Sequence, residues 1–266
     1  MKITNTLKKA LPWAAATLAC ALLQGCASRP QANPADPLEP FNRSVYRFNE
    51  GLDRAVLKPV ATAYHNVTPS PVRTGVTNFF ENLSDAWSFV NNVLQAKPAE
   101  AADTLFRFTT NTFWGLGGIF DVASGLKIAK HKEDFGQTLG VWGLAPGPYL
   151  MLPLFGPSSV RDSAGLLVDR QGSLLSQTDS VAARNSLTGL NLVDTRANLL
   201  EAGNLLDQAA LDKYAFIRDA YLQRRQSQVG TSDSGPASKA PEERFDLPEP
   251  APAPAGPSGS PAPSPQ

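Results

Sequence analysis

Few side chains in this 266-residue sequence have the type and spacing to do chemistry, and none of them forms a catalytic set. Histidine, the usual general base near neutral pH, occurs twice, as His65 and His131. There is no Gly-x-Ser-x-Gly elbow for a nucleophile and no spacing of His, Cys, Asp and Glu that suits a metal. Both histidines therefore read as surface residues. Asp121, Asp134, Asp162 and Asp169 could in principle share acid–base work, yet only Asp162 and Asp169 fall together, seven residues apart on one face of a helix. Capping, ion pairing or the lining of a polar path suits such a pair better than catalysis. The expectation is a protein that is not an enzyme and that uses no metal and no cofactor.

The cysteines carry a different chemistry. Cys20 sits in an apolar run from Ala10 to Leu23 that follows Lys2, Lys8 and Lys9. A basic start, an apolar run shorter than the roughly 20 residues a membrane span needs, and small residues at its end read as an export signal over 1–25. Its removal leaves Cys26 as the one cysteine of the mature chain, so no disulfide framework is available and packing must hold the fold. A lone thiol at that point fits an acyl acceptor. Leu23-Gln24-Gly25-Cys26 resembles the lipobox of bacterial lipoproteins, which implies cleavage before Cys26 and lipid attachment there. Ala27 and Ser28 follow, with no Asp at the second position, and the resemblance then implies sorting to the outer membrane.

Composition bounds the rest. Lys plus Arg equals Asp plus Glu at 24 each, and loss of the three signal lysines leaves a formal −3, with no basic stripe for nucleic acid. Residues 229–266 hold ten of the 23 prolines and almost no large apolar side chains, too few to offset the entropy of ordering them, so a disordered tail is expected. After a short polar linker over 26–35, the stretch 36–228 is long enough for one domain with a core of ordinary size.

The elements of that domain read as mainly helical. Asp36, Pro37 and Glu39 suggest a capped start, and Leu38, Phe41, Val45, Phe48, Leu52 and Val56 form one apolar stripe ending near Pro59. A short piece through Val60–Tyr64, a helix opened by Ser70-Pro71, another capped by Ser84 and a further one from Lys97-Pro98 follow. Asp134 to Trp142 reads as a short helix. The run from Ala145 to Pro157 holds four prolines among apolar residues and must be extended, without forming a central strand. Ser158 or Ser159 caps a helix over Val160–Gln171, and helical periodicity continues from Asp179 to Tyr221.

One segment is odd. Phe113-Trp114-Gly115-Leu116-Gly117-Gly118-Ile119-Phe120 joins five large apolar residues to three glycines without a charge, and glycines cost a helix about 0.8–1 kcal/mol each. Two uses are open: a tight apolar turn between packed helices, or a pliable lip that touches acyl chains. It is not a phosphate loop, since no strand precedes it and no Lys follows.

Taken together, Asp36-Pro37-Leu38-Glu39-Pro40-Phe41-Asn42-Arg43, Tyr46, Phe48-Asn49, Asn111-Thr112, Gly115-Leu116-Gly117-Gly118, Asp121-Val122-Ala123, Asp134-Phe135-Gly136-Gln137-Thr138-Leu139-Gly140, Gly147-Pro148-Tyr149, Leu152-Pro153 and Arg161-Asp162 resemble the MlaA family, also called VacJ lipoproteins. The resemblance spans roughly Asp36 to Tyr221. It implies a ring-like helical domain with a central amphipathic channel, anchored by Cys26 in the inner leaflet of the outer membrane. It also implies removal of misplaced outer-leaflet phospholipids to a soluble periplasmic lipid carrier, in company with a trimeric porin. On that reading Phe41, Asn42, Tyr46, Phe48 and Asn49 belong to a helix that sets channel opening and membrane contact. Phe113, Trp114, Gly115, Leu116, Gly117, Gly118, Ile119 and Phe120 form a flexible lip with Asn111 and Asp121 at its ends, and Asp162, Asp169 and Arg170 are candidates for the polar lining. A lipoprotein that scaffolds a porin or the envelope without moving lipid is the alternative.

Overall fold

The structure, a computed structural model, describes residues 33–230. The signal, Cys26 and the Pro-rich segment from 231 onward lie outside the described residues. The domain is helical throughout except for one hairpin. Helix α1 (Glu39–Leu52) passes through a π-helical turn (Asp53–Leu57) into α2 (Lys58–Val67). The helix α3 (Ser70–Leu94) is a single element of 25 residues where the sequence suggests two, because Ser84 continues the helix instead of capping a new one. Then come α4 (Pro98–Phe113), a single turn α5 (Val122–Gly125) and α6 (Phe135–Val141). The proline-rich run forms an antiparallel pair, β1 (Tyr149–Leu152) and β2 (Gly156–Ser159), with Tyr149 opposite Ser159. A two-stranded sheet has only edges, so Pro157 costs no interior hydrogen bond. The chain finishes with α7 (Val160–Gly172), a 3₁₀ turn (Leu174–Gln177), α8 (Val181–Asn198), α9 (Leu200–Ala209) and α10 (Lys213–Gly230).

Several starts follow local chemistry. Asp134 accepts from the Gln137 amide and caps α6, Ser159 does the same for α7 through Asp162, and Ser180 caps α8. The start of α1 does not. Its N-cap is Leu38 without a side-chain bond, and Asp36 instead turns its carboxylate inward to Asn42, Tyr214 and Arg218. A buried carboxylate with three donors satisfies more groups than a cap would.

The distribution of polarity departs from an ordinary soluble domain. Among the described residues, 8 hydrophobic residues are buried against 20 polar or charged ones, while 32 large hydrophobic residues are exposed. The apolar stripe of α1 belongs to that outer set: Phe41, Phe48 and Val56 face outward. Among the described residues an apolar cluster forms around the hairpin, where Tyr149, Met151 and Tyr214 are buried and Val45, Tyr46, Tyr221 and Leu222 pack on them. No helix among the described residues is long and apolar enough to cross a membrane.

Candidate functional site

The hairpin, α3, α7, α8 and α10 enclose a cavity of about 560 Å³. Its lining mixes apolar side chains, Phe80, Leu83, Trp87, Leu152, Phe155 and Leu166, with the polar or charged Glu133, Asp134, Asp162, Asp169, Tyr221 and Arg225. Asp162 and Asp169 reach the same lining because seven residues make two helical turns. Arg170 does not join them. It is rotated by one position off that face, and its guanidinium lies 5.9 Å over the ring of Phe155.

The charged part of the lining is an organised network. Asp162, capped into place by Ser159, accepts from Arg161 Nε at 2.9 Å, from the Tyr221 hydroxyl and from Arg225 Nε at 3.1 Å. Burial alone would push its carboxyl up, but Tyr221, Arg225 and Arg161 outweigh burial and hold it below the ordinary range. Asp169 takes the Trp87 indole N–H at 2.7 Å and the Phe135 amide at 2.8 Å, both on one oxygen, and burial raises its pKa. Arg225 also binds Asp134 at 2.6 Å, and its guanidinium sits 5.8 Å from the Tyr221 ring centre. Burial and the bond to Asp162 raise the Tyr221 hydroxyl to about 12. Arg225 and Trp87 line this cavity and are not among the candidate residues named from the sequence. The available signal was the i,i+4 pair Tyr221 and Arg225, aromatic beside cation on one helix face.

A second cavity of about 310 Å³, lined by polar and charged residue types, adjoins the first and shares Ser84, Glu133, Asp134, Tyr221 and Arg225 with it.

On α1, Asn42 and Asn49 clamp the hairpin. The Asn42 amide donates to Asp36 at 2.8 Å and to the Tyr149 carbonyl at 3.0 Å, and its oxygen accepts from the Met151 amide at 2.9 Å. Two turns later Asn49 donates to the Leu152 carbonyl and accepts from the Leu154 amide, both at 2.9 Å. The two side chains thus imitate a neighbouring strand. Tyr46 packs edge-on against Tyr214 at 5.8 Å, while Phe41 and Phe48 point away.

The segment Phe113–Phe120 is a hydrogen-bonded turn with apolar side chains outside. Backbone bonds Gly117 to Thr112, Gly118 to Asn111 and Phe120 to Gly115 close it at 2.8–2.9 Å, and Leu116, Gly117 and Gly118 all have positive φ, a conformation that glycine makes accessible. At Gly115 a Cβ would meet the Phe120 carbonyl oxygen at 2.2 Å. Phe113 and Trp114 are 75% and 72% exposed. Asn111 and Asp121 do meet at the base: Asn111 donates to Asp121 at 3.1 Å and Arg107 grips the same carboxylate at 3.0 Å. Beside the turn, Ile119 and Phe120 with Val76, Phe79, Leu187 and Leu190 border an open apolar groove of about 810 Å³.

Residues 34–228 match the family model described as MlaA lipoprotein. The chain is 38% identical over 216 residues to the intermembrane phospholipid transport system lipoprotein MlaA of Escherichia coli K12, covering 79% of this chain and 85% of the relative, and equally so to that of Shigella flexneri. The protein of the same description from Haemophilus influenzae is 34% identical over 223 residues, covering 80% of this chain and 88% of that one. A solved chain reported under the structural basis for maintenance of bacterial outer membrane lipid asymmetry superposes with a TM-score of 0.65 at 37% identity, covering 73% of this chain and 98% of its own. The match of family model, sequence and fold over the same residues means that this chain belongs to the MlaA lipoprotein family.

Proposed function

We propose that this protein acts in phospholipid transport as a lipid-anchored component of the outer membrane, held in the inner leaflet through Cys26. On this reading it is a ring-like body with an amphipathic path through which phospholipids misplaced in the outer leaflet pass to a soluble periplasmic carrier, beside a trimeric porin. It performs no covalent chemistry. The observation that carries the proposal is the inverted polarity: 32 large hydrophobic residues exposed among the described residues, with a cavity of mixed polar and apolar lining inside. Such an apolar exterior is unfavourable in water at about 25 cal/mol per Å² and favourable against acyl chains. A head group moving between leaflets loses hydration worth several kcal/mol unless polar groups replace it. The carboxylates, guanidinium and phenol of the cavity supply those groups, and Phe80, Trp87 and Phe155 in the same lining leave apolar surface for chains.

Outer-leaflet phospholipid, measured in cells lacking the protein, carrying it intact and carrying Cys26→Ala, tests this. Accumulation on deletion that only the intact form corrects supports transport with an essential tether. An unchanged leaflet with impaired porin assembly would replace it by the scaffold reading.

A further inference from the structure

Building on the transport reading above, we propose that Arg225 is the docking cation for the phosphate of the lipid head group, and that a phosphate crosses the partition between the two cavities by taking this guanidinium from Asp134 and Asp162. The residues shared by the two cavities form that partition, and Arg225 spans it, 2.6 Å from Asp134 on one side and 3.1 Å from Asp162 on the other. Arg225 is the one cation on the wall of the larger cavity among the described residues, which also holds four carboxylates. An anionic phosphate entering that space finds its cationic partner at Arg225, since the lining otherwise offers carboxylates and neutral side chains. Guanidinium presents two parallel N–H donors to phosphate oxygens, the geometry it also offers a carboxylate, so exchange of one partner for the other needs no change in the donor. The larger cavity offers Phe80, Leu83, Leu152, Phe155 and Leu166 to the chains, and the smaller one is lined, besides Tyr221, by Ser, Gln and charged residues, so a head group held at Arg225 sits where the large apolar side chains end.

Trp87 lines the larger cavity and provides the readout. In the full lipoprotein with Trp114→Phe and Trp142→Phe, Trp87 fluorescence in detergent is titrated with dihexanoyl phosphatidylethanolamine, with dihexanoylglycerol and with inorganic phosphate. The expected result is phospholipid binding at least about tenfold tighter than dihexanoylglycerol, one charge-assisted contact's difference, and little response to inorganic phosphate. Arg225→Gln should abolish that preference while leaving dihexanoylglycerol binding unchanged, and Arg225→Lys should keep part of it. Asp134→Asn preserves the cap of α6, since Asn caps as well as Asp, but releases one competitor for Arg225. It should therefore tighten phospholipid binding, an effect of opposite sign that a purely structural role for the pair would not give.

A preference that survives Arg225→Gln, or Asp134→Asn that fails to tighten binding, overturns the inference while leaving the transport reading standing. The second criterion decides alone if Arg225→Gln does not fold. Inorganic phosphate that binds as tightly as the lipid makes this a free-phosphate site and overturns it too. A wild-type protein whose Trp87 responds to neither lipid removes the cavity as a lipid path altogether.

Discussion

The helix pair α3–α4 and the tyrosine cluster at the hairpin solve the problem of a hydrophobic core in opposite ways. In the cluster, Tyr149, Met151 and Tyr214 are buried, aromatic rings meet edge-on at 5.8–6.3 Å, and the buried polar groups Asp36 and Asn42 bond to the cluster's own hydroxyl and backbone. Between α3 and α4 the buried side chains are polar. Asn82, Asp85, Ser88, Asn92 and Gln95 recur at helical spacing on one side, with Thr104, Arg107 and Asn111 on the other, while Val93, Leu94, Leu105 and Phe106 face outward. Asn92 donates to Thr104 and Asn82 to Thr112 across the pair, and Gln95, just past the end of α3, donates to Thr138 of α6. A polar seam of this kind is favourable where the medium outside is apolar, because the helices then hold together by hydrogen bonds and expel hydrocarbon surface to the exterior. One domain therefore carries two kinds of interior, one polar and one apolar.

The sharpest way to break the comparison is to remove the charge at the centre of the seam. Arg107, 3% exposed at its side chain, lies 3.8 Å from Asp85 and 3.0 Å from Asp121, and it also donates to the Ile128 carbonyl at 2.7 Å. Arg107→Ala leaves a buried carboxylate uncompensated and should cost about 3–5 kcal/mol of unfolding free energy in detergent. The double variant Arg107→Met with Asp85→Leu removes both buried charges and should recover most of that loss. A double variant as unstable as Arg107→Ala would show that the pair, and not the unpaired charge, holds the helices together.

Protonation separates the two acids that share Arg107. Burial raises the Asp85 carboxyl from 3.8 to about 6 against the pull of Lys130 and Arg107. Its folded pKa lies above the unfolded one, so the stability it contributes as a protonated group is full below 3.8 and is lost as pH rises through 6. The loss is about 3 kcal/mol. Asp121 runs the other way. Burial would raise it, but Ser124, Asn111 and Arg107 outweigh burial and lower it to about 2, so its contribution is present above 3.8 and lost as pH falls through 2. Denaturant unfolding between pH 3 and 7 should show a slope between pH 4 and 6 that Asp85→Asn flattens and Asp121→Asn leaves in place. The reverse pattern would assign the buried charge to the wrong acid.

The tyrosine cluster is sharpened by its clamp. Asn42 is fully buried, and Asn42→Ala leaves the Met151 amide and the Tyr149 carbonyl without their partner, a loss of about 2–3 kcal/mol. Asn49 is only partly buried, water can replace its amide, and Asn49→Ala should cost about 1 kcal/mol. Equal losses for the two would mean that the strand-like pairing acts as one unit.

How much of this was legible in the sequence follows from what each residue's neighbours in the chain decide. The caps at Asp134 and Ser159 and the extended character of the proline run are local, and they were readable. The direction of the apolar stripes was not. Periodicity at Phe41, Phe48 and Val56 marks a face but not which medium it meets, and the usual assumption of a core puts it inside. Polar residues at the same spacing on α3, from Asn82 to Gln95, were the complementary signal: two periodic faces on one helix, one apolar and one rich in amides, leave the solvent as the unknown. Asp36 was read as a cap because its partners Tyr214 and Arg218 are about 180 residues away, and nothing near it in the chain betrays them. Arg225 went unseen for the same reason, since Asp134 and Asp162 reach it only through the fold.

The smallest effect on stability belongs to the turn that ends the seam. Phe113 and Trp114 are 75% and 72% exposed, so Phe113→Ser with Trp114→Ser removes few contacts within the protein and should change the unfolding free energy in detergent by less than about 0.5 kcal/mol. The same change should be large against a bilayer. Two aromatic side chains transferred from water to acyl chains contribute about 1.5–3 kcal/mol each, so flotation of the Cys26→Ala protein with phospholipid vesicles, where no anchor masks the effect, should fall by about a hundredfold or more. A substitution that is silent in folding and severe in membrane binding is the result that an outward apolar surface demands. Equal flotation with and without the two rings would mean that the turn does not touch lipid, and would return Phe113–Phe120 to the role of a connector between α4 and α5.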